Sequence, residues 1–378
     1  MRVRVLHLAQ RFHPAIGGAE TYVREIALEQ ARRGHDVTVA TTEHPGAPRE
    51  ETMERADARI RIVRFPTRHF RGDYLLPAWL PMKGVDAWLA RERFDILHAH
   101  SYRFDTVEAA ARAHKAHGTP YVVSALGFYP PENLAVRLSR LAYDPSRGRA
   151  ALSRAARGVA LTSDEVPYYE ALGLPRERVD VVPPGIEEGA LAPGDGAAFR
   201  KEHGLSGDVV LFLARLAHDK GLTDLVEAMA DVPDATLAVV GPDAGARAAA
   251  ERIARRRGIA QRVRFLGRAR VVRDAYAACD VFVHPSHYES YGLVVVEAMA
   301  QSRAVVTTTA GGLPEAAGGC AALVPPRDPP ALAREIRALL ADPARRAEMG
   351  ARGRERARTL TWKAGVDGLE ACYQRALG

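Results

Sequence analysis

Short hydrophobic runs alternate with amphipathic segments along most of the chain. Before residue 183, six runs rich in β-branched and aliphatic residues predict β-strands: Val3–Leu8, Val37–Thr41, Ile96–Ala99, Tyr121–Ser124, Val159–Leu161 and Val179–Val182. Between them, apolar positions recur with helical spacing in Glu20–Arg33, which ends at Gly34, and in Thr106–His117. Strand, helix and strand in this order predict βαβ units and therefore a parallel sheet.

This alternation stops and starts again in the middle of the chain. Pro183-Pro184-Gly185 opens a stretch rich in Gly and Asp. A second set of predicted strands follows: Val209–Ala214, Thr236–Val240, Val263–Leu266, Val281–Val283 and Ala304–Thr308. Helices are predicted between them, at Leu222–Ala230 and Gly292–Gln301. The pattern predicts an α/β fold of two tandem Rossmann-like, doubly wound domains facing a central cleft, covering 1–183 and 184–360, with a last helix at 361–378.

The composition is compatible with two large cores and with a location in the cytoplasm. The chain has 378 residues, of which 47% are hydrophobic and 26% charged, and this excludes a wholly disordered or collagen-like protein. It contains no run of about 18 uncharged apolar residues that would span a membrane. Its first apolar run is short, is broken by His7 and is unlike a signal peptide. The three cysteines lie far apart, which fits a reducing compartment.

Basic residues outnumber acidic ones by 53 to 46, and part of the excess is local. Residues 103–157 hold nine Lys and Arg against four Asp and Glu. In this region Leu134–Leu141 mixes apolar and basic residues at helical spacing, and four arginines follow it: Arg147, Arg149, Arg154 and Arg157. Such a surface predicts contact with the anionic inner face of the cytoplasmic membrane. The alternative is a core helix followed by solvated arginines.

Ligands of open α/β sheets bind beyond the carboxyl ends of the strands, so the residues after the predicted strands are the candidates. Gly17-Gly18 follows the first strand and opens the first helix, where glycine lets the backbone approach a ligand; a plain tight turn is the alternative. Arg215 and Lys220 hold the equivalent place in the second domain. They predict a diphosphate site, or else are surface charges. Gly311-Gly312 is another glycine pair at the end of a strand.

The loop and helix after the predicted strand Val281–Val283 carry the strongest signal. Glu289 lies in the loop, Gly292 is near the start of the helix, and Glu297 is in its second turn. One segment thus offers a carboxylate, a row of free amides and a second carboxylate. These groups suit a sugar hydroxyl, a diphosphate and a ribose hydroxyl in turn. The alternative is a capped helix with two incidental glutamates.

His98 and His100 occupy alternate positions of one predicted strand and therefore point to the same face. Two histidines at this spacing are able to ligate a metal ion, but the sequence offers no third ligand at a usable spacing. The pattern therefore favours a polar wall of the cleft over a metal site.

Taken together, these motifs resemble those of the family 4 retaining glycosyltransferases, which have the GT-B fold. The resemblance spans nearly the whole chain. Its most specific element is the cationic pair at residues 215 and 220 combined with two glutamates eight residues apart, Glu289 and Glu297. Weaker elements are Gly17-Gly18-Ala19-Glu20, Gly34-His35-Asp36-Val37, Gly241-Pro242-Asp243, Gly311-Gly312-Leu313-Pro314-Glu315 and the Trp362 tail.

The resemblance implies that the second domain binds a UDP- or GDP-linked sugar and that the first holds the acceptor, a glycan or a lipid-linked molecule. It implies a catalytic set in which Arg215 and Lys220 hold the donor diphosphate while Glu289 faces the sugar hydroxyls. The ribose hydroxyls are assigned to Glu297. The other donor-binding residues that the resemblance implies are Gly17, Gly18, Ser290, Tyr291, Gly292 and Leu293. It also implies a C-terminal helix that crosses back onto the first domain.

The sequence departs from the family pattern in two places. Leu126 stands where family members often carry a histidine, just before Gly127. Pro183-Pro184-Gly185 replaces the usual Pro-Asn-Gly of the hinge. His100 is the candidate substitute for the missing histidine, so His100 and Gly127 are the residues predicted on the acceptor side.

The family reaction transfers a hexose with retention of the anomeric configuration, and negative charge grows on the leaving phosphate. Because the chain contains no Asp-x-Asp, the metal motif of the other large transferase class, we expect no metal or other cofactor. One alternative is a nucleotide-sugar epimerase of the same architecture. A nucleic-acid-binding protein is disfavoured because no recognition motif is present. An NAD-linked oxidoreductase is disfavoured because the G-x-G-x-x-G fingerprint is absent.

Overall fold

The computed structural model describes residues 2–15, 17–67, 81–128 and 134–378. The chain divides into two compact units, of which the first comprises Met1–Pro184 and Trp362–Gly378 and the second comprises Gly185–Thr361. Each unit is built on its own largely parallel sheet with helices between the strands. The predicted fold class of two tandem doubly wound domains is therefore confirmed.

The described part of the first unit contains an eight-stranded sheet. Its strands are β1 (Arg4–Leu8), β2 (Asp36–Thr42), β3 (Glu50–Arg55), β4 (Ala58–Phe65), β5 (Ile96–His100), β6 (Tyr121–Ser124), β7 (Arg157–Ala160) and β8 (Val179–Val181). The spatial order is β3-β4-β2-β1-β5-β6-β7-β8, and only β3 runs antiparallel to its neighbour. The helices are α1 (Gly18–Arg32), α2 (Val85–Leu89), α3 (Asp105–His117), α4 (Leu134–Tyr143), α5 (Arg149–Leu152) and α6 (Val166–Ala171).

The second unit has a six-stranded parallel sheet in the order β11-β10-β9-β12-β13-β14. Its strands are β9 (Asp208–Leu213), β10 (Ala235–Val240), β11 (Val263–Gly267), β12 (Val281–His284), β13 (Ala304–Thr308) and β14 (Ala322–Val324). Its helices are α7 (Gly196–His203), α8 (Leu222–Met229), α9 (Arg247–Arg256), α10 (Val272–Ala278), α11 (Leu293–Ala300), α12 (Leu313–Ala317), α13 (Pro329–Ala341) and α14 (Pro343–Thr359). The central strands are almost entirely buried, as expected for strands covered by helices on both faces.

The last helix, α15 (Trp362–Leu377), belongs to the first unit and packs against α1. Arg33, just after the end of α1, donates hydrogen bonds from Nη1 to Asp367 Oδ1 at 2.7 Å and to Glu370 Oε2 at 3.1 Å. At the start of α15 the ring of Trp362 lies edge-on to Tyr22. Apolar and ionic contacts together therefore fix this helix on the first unit.

Three strands were not predicted. Of these, β3 has the sequence EETMER and lies at the edge of the sheet, where its side chains are mostly exposed. It therefore lacks the alternation of apolar and polar residues that predicts a strand. The neighbouring β4 does alternate, and β14 is only three residues long. Among the described residues, every helix falls short of the length and apolar character that crossing a bilayer requires.

Candidate functional site

The strand order of the second unit creates a crevice where its predicted site residues lie. From β9 the chain moves outward to β10 and β11, and it then returns to place β12 on the other side of β9. At such a switch point the loops after the two central strands diverge and leave space beyond their carboxyl ends. Arg215 and Lys220 follow β9, and Glu289 follows β12.

Lys220 and Glu289, which are 69 residues apart, form an ion pair in this crevice. Lys220 Nζ lies 2.9 Å from Glu289 Oε1 and 3.1 Å from Asp219 Oδ2, and its side chain is only 10% exposed. Burial raises the pKa of Glu289, but the hydrogen bond from His284 and the charge of Lys220 outweigh it and lower the pKa to about 2. The carboxylate of Glu289 therefore stays ionised beside the side chain of Lys220.

The loops that carry this pair are joined through backbone atoms. Gly221 has φ +69°, and any Cβ there would clash with the carbonyl oxygen of Pro285. Ser286 Oγ and the backbone N–H of His287 both donate to the carbonyl oxygen of Asp219, at 3.0 and 2.8 Å. Direct contact between the loops after β9 and β12 thus sets the position of Lys220 relative to Glu289.

The predicted glycine pair after β13 supports the same loop from its other side. The backbone N–H of Gly312 donates to the carbonyl oxygen of Glu289 at 2.9 Å. Gly311 has φ +56°, and a Cβ at this position would clash with that same oxygen. Thr308 Oγ1 donates to the carbonyl oxygen of Ser286 at 2.6 Å. The glycines therefore permit a close approach of backbone to backbone.

Arg215 differs from Lys220 in its surroundings. Its side chain is exposed, and no described residue forms a hydrogen bond or an ion pair with it. The loop between them is short, because Lys220 already lies in a helical turn that precedes α8. Of the predicted cationic pair, Arg215 is thus available to bind an anion, whereas Lys220 forms an ion pair with Glu289.

Residues 290–293 lead into α11. Ser290 and Tyr291 are buried, at 9% and 3% exposure. Gly292 precedes the helix with φ +98°, and Leu293 is its first residue. The first-turn N–H groups of a helix lack partners within it and carry the positive end of its dipole, so this terminus is suited to phosphate.

Glu297, one turn into α11, accepts a hydrogen bond from Tyr276 on α10, whose hydroxyl oxygen lies 2.8 Å from Glu297 Oε2. Burial raises the pKa of Glu297 to about 7, although the Tyr276 hydroxyl acts in the opposite direction. Its second oxygen has no hydrogen bond from the described residues. Tyr276, His284 and Asp219 carried no signal in the sequence, because their importance comes only from contacts with the predicted residues.

The first unit has a switch point of its own, between β1 and β5. Gly17 and Gly18 lie at the start of α1, after β1; Gly17 is extended, and a Cβ at Gly18 would meet open space. Gly127 follows β6 with φ +112°, and the residue before it, Leu126, has φ +53°. A leucine in this region is strained, and such strain clusters at functional sites. The predicted roles of Gly17, Gly18 and Gly127 stay predictions.

His98 and His100 do share a face, but they do not form an exposed wall. Both are fully buried, and the interpretation as a polar cleft wall is therefore wrong. The sequence offered no third ligand at a usable spacing, but the fold supplies one, because β1 pairs with β5 in a register that sets His7 beside His98. One ring nitrogen from each histidine lies within 4.8 Å of the others. His7 and His98 are 91 positions apart in the sequence and become neighbours only through the pairing of β1 with β5. Spacing along the chain does not reveal such a contact.

The three imidazoles belong to a hydrogen-bonded network with the last helix. His7 bonds to Gln30 Oε1 through Nε2 at 2.8 Å and to His100 Nε2 through Nδ1 at 2.9 Å. His98 bonds to the Tyr373 hydroxyl at 2.6 Å and to Ser124 Oγ at 2.8 Å. Of the six ring nitrogens of these histidines, only Nδ1 of His100 forms no hydrogen bond with a described residue. A metal ion would have to displace these bonds, so the geometry favours a neutral network.

Comparison with known proteins gives matches over both units. Residues 17–185 match the model of the glycosyl transferase 4-like domain, and residues 207–342 match that of the glycosyl transferases group 1 family. The chain is 33% identical, over 96% of its length and 85% of the relative's, to a D-inositol 3-phosphate glycosyltransferase of Segniliparus rotundus.

Solved structures resemble the whole chain. Sucrose-phosphate synthase from Thermosynechococcus elongatus has a TM-score of 0.82 at 24% identity, with 99% of each chain covered. HepE from Anabaena, solved with UDP and glucose, has a TM-score of 0.79 at 20% identity, with 99% of this chain and all of the other covered. At these identities the likeness establishes the fold.

The buried histidines predict acid sensitivity of the first unit. Burial lowers the pKa of His7 to about 4, and it lowers the pKa values of His98 and His100 well below 6.5. In the unfolded chain these groups bind protons near pH 6.5, so the free energy of unfolding should fall as the pH drops from about 6.5 to about 5. Each histidine contributes a slope of about 1.4 kcal/mol per pH unit.

Urea unfolding followed by tryptophan fluorescence measures this slope, since Trp88 and Trp362 belong to the first unit. A His98→Gln variant should lose about one histidine's share of the slope, about 1.4 kcal/mol per pH unit. The exposed His117 provides the control, and His117→Gln should leave the slope unchanged. A free energy of unfolding that stays constant between pH 6.5 and 5 would contradict the assignment.

Proposed function

Because the chain belongs to the glycosyl transferases group 1 family, we propose that it transfers a hexose from a UDP- or GDP-linked donor to an acceptor hydroxyl, with retention and without a metal ion. The observation that carries this proposal is the contact between Lys220 and Glu289 at the switch point of the second unit. It unites the cation proposed for the diphosphate with the carboxylate proposed for the sugar.

Electrostatic stabilisation of the leaving diphosphate is the main task of the proposed site. Charge grows on the phosphate as the bond to the anomeric carbon breaks, and fixed positive groups stabilise it without having to reorganise. Arg215 and Lys220, from the segment after β9, and the N-terminus of α11 supply this potential within one unit. The leaving phosphate then takes the proton of the acceptor hydroxyl on the same face of the sugar, so that no protein nucleophile is needed.

The two glutamates divide the recognition of the donor in this proposal. Glu289, held ionised, accepts hydrogen bonds from sugar hydroxyls through Oε2, which receives no hydrogen bond from the described residues. Glu297 accepts from the ribose hydroxyls with the oxygen that Tyr276 leaves available. Ser290, Tyr291, Gly292 and Leu293 place the helix terminus between them. Carboxylates bind hydroxyl pairs well because each oxygen accepts more than one hydrogen bond.

For the acceptor, the name of the Segniliparus relative favours a small phosphorylated cyclitol, and a glycan or a lipid-linked molecule of cell-surface polysaccharide synthesis is the alternative. An inositol phosphate offers both a hydroxyl nucleophile and an anion. The basic balance of residues 103–157 is compatible with such an anion, although Arg103 and Arg147 already pair with Asp144 and Glu108.

A transfer assay tests the proposal and its acceptor. UDP- and GDP-linked hexoses are incubated with D-inositol 3-phosphate, an oligosaccharide or a lipid-linked acceptor, and nucleoside diphosphate release and product configuration are measured. We expect acceptor-dependent release, a retained configuration and the same rate in EDTA. Loss of transfer in EDTA that Mn²⁺ restores would contradict the metal independence. Epimer formation without an acceptor would instead indicate an epimerase.

Removal of either cation should slow the reaction strongly. We expect Arg215→Ala and Lys220→Ala each to lower kcat/KM by at least about 10²-fold, since each removes a preorganised donor to the diphosphate. Lys220→Ala also leaves Glu289 without its ion pair, so its melting temperature is measured alongside. The exposed Arg337 on α13 supplies the control, and Arg337→Ala should keep wild-type kinetics. Near wild-type turnover of Arg215→Ala would argue against diphosphate binding there.

Peripheral contact with an anionic membrane is a separate proposal, supported by α4. Leu134, Leu138 and Leu141 are 68%, 57% and 63% exposed and lie on one helical face. We expect the protein to sediment together with anionic vesicles. Leu138→Glu should weaken this binding about tenfold, because one leucine side chain fewer enters the apolar part of the membrane. The exposed Leu377 on α15 is the matched control. Equal sedimentation of Leu138→Glu and wild type would exclude this face.

A further inference from the structure

A buried histidine at the carboxyl end of β12 is not accounted for by the reaction described above. His284 is 1% exposed, and its Nε2 lies 2.8 Å from Glu289 Oε1. Its other ring nitrogen, Nδ1, is buried and has no hydrogen bond within the described part of the chain. The whole hydrogen-bonding capacity of this ring is therefore directed at one carboxylate.

The chemistry of the contact fixes the proton on His284. A carboxylate only accepts hydrogen bonds, so Nε2 must carry the hydrogen that faces Glu289. A buried nitrogen without a partner is unfavourable, and an apolar side chain of similar size would avoid it. The presence of an imidazole here is thus explained by its bond to Glu289 and not by the packing of the sheet.

Two donors meet on the same oxygen of Glu289. Lys220 Nζ approaches Oε1 at 2.9 Å from the loop after β9, while His284 Nε2 approaches it at 2.8 Å from the end of β12. Within the described residues, Oε2 receives no hydrogen bond. Two donors on one oxygen, reaching it from different elements, restrict rotation of the carboxylate and leave its second oxygen for a ligand.

The backbone of His284 is itself fixed. Its carbonyl oxygen accepts a hydrogen bond from Thr307 Oγ1 on the neighbouring strand at 2.8 Å, and strands β12 and β13 pair in register at these two residues. The ring therefore projects from a rigid strand and not from the loop that carries Glu289. A donor on a rigid element is well suited to orient a group on a less regular one.

We propose that His284 is a positioning residue, which holds the carboxylate of Glu289 so that Oε2 faces the hydroxyls of the donor sugar while Oε1 keeps Lys220 in place. The inference rests on the proposed function, because it takes a nucleotide sugar as the ligand. It assigns to His284 an effect on the sugar end of the donor, and not on the nucleotide end.

Two substitutions separate this role from simple packing. His284→Leu fills similar space without a donor, whereas His284→Gln retains an N–H group able to reach Glu289. We expect His284→Leu to lower kcat/KM and the affinity for the intact nucleotide sugar about tenfold, as for loss of a hydrogen bond to a charged group. Affinity for the bare nucleoside diphosphate, measured by calorimetry, should change less than about twofold, and His284→Gln should recover most of the loss.

A double-mutant cycle with Glu289→Gln provides the internal control. If His284 acts through Glu289, His284→Leu should have little further effect in the Glu289→Gln background. Additive losses, or an equal loss of affinity for the bare nucleoside diphosphate, would overturn the proposal. So would wild-type kinetics of His284→Leu.

A readout that needs no transferase activity distinguishes failure of this inference from failure of the proposed function. Carbon-13 NMR of the glutamate carboxyls in the ligand-free protein should show a higher pKa for Glu289 in His284→Leu than in wild type, because the hydrogen bond that favours the charged form is lost. An unchanged Glu289 pKa would refute the positioning role even in a protein with no detectable transfer. A raised pKa together with absent transfer would refute only the proposed function.

Discussion

The second unit depends on keeping a largely buried carboxylate charged. Removing Glu289 from water favours its neutral form, and only donors brought within hydrogen-bonding distance reverse this preference. Lys220 and His284 do so from two different elements, and the loops that carry Lys220 and Glu289 are in turn joined through Asp219. A charge that is paired on one side and accessible on the other is what recognition of hydroxyl groups requires.

The first unit contains the opposite case, a cluster of buried histidines that stay neutral because burial lowers their pKa values. His7 bonds to His100 and Gln30, while His98 bonds to Tyr373 and Ser124. Tyr373 ties the network to the last helix, so the C-terminal residues take part in the core of a sheet formed by the first strands. Both units are thus built on largely parallel sheets. The buried polar group at the site of the second unit is charged, whereas the buried histidines of the first unit are neutral.

The sequence predicted the elements that have a strong local signature. Buried strands such as β9 and β12 are continuous apolar runs, and α1 has a clear helical period that ends at Gly34. It failed for β3, whose polar residues at a sheet edge bury almost nothing, and for the histidine cluster, where strand register alone brings His7 to His98. Likewise Arg215, Lys220 and Glu289 were identified by their place after strands. His284 and Tyr276 were not, because a histidine that ends a strand and a tyrosine within a helix are ordinary residues.

The sequence by itself determined the repeated α/β pattern, the strand ends and the residue types that stand there, because hydrophobic periodicity and the chemistry of side chains are local properties. The tertiary structure alone decided which of those groups touch. The order of the strands brings β12 beside β9, so Lys220 meets Glu289, while Arg215 stays exposed a few residues away. Contacts between distant residues depend on strand order and register, and these are set by the packing of the whole unit.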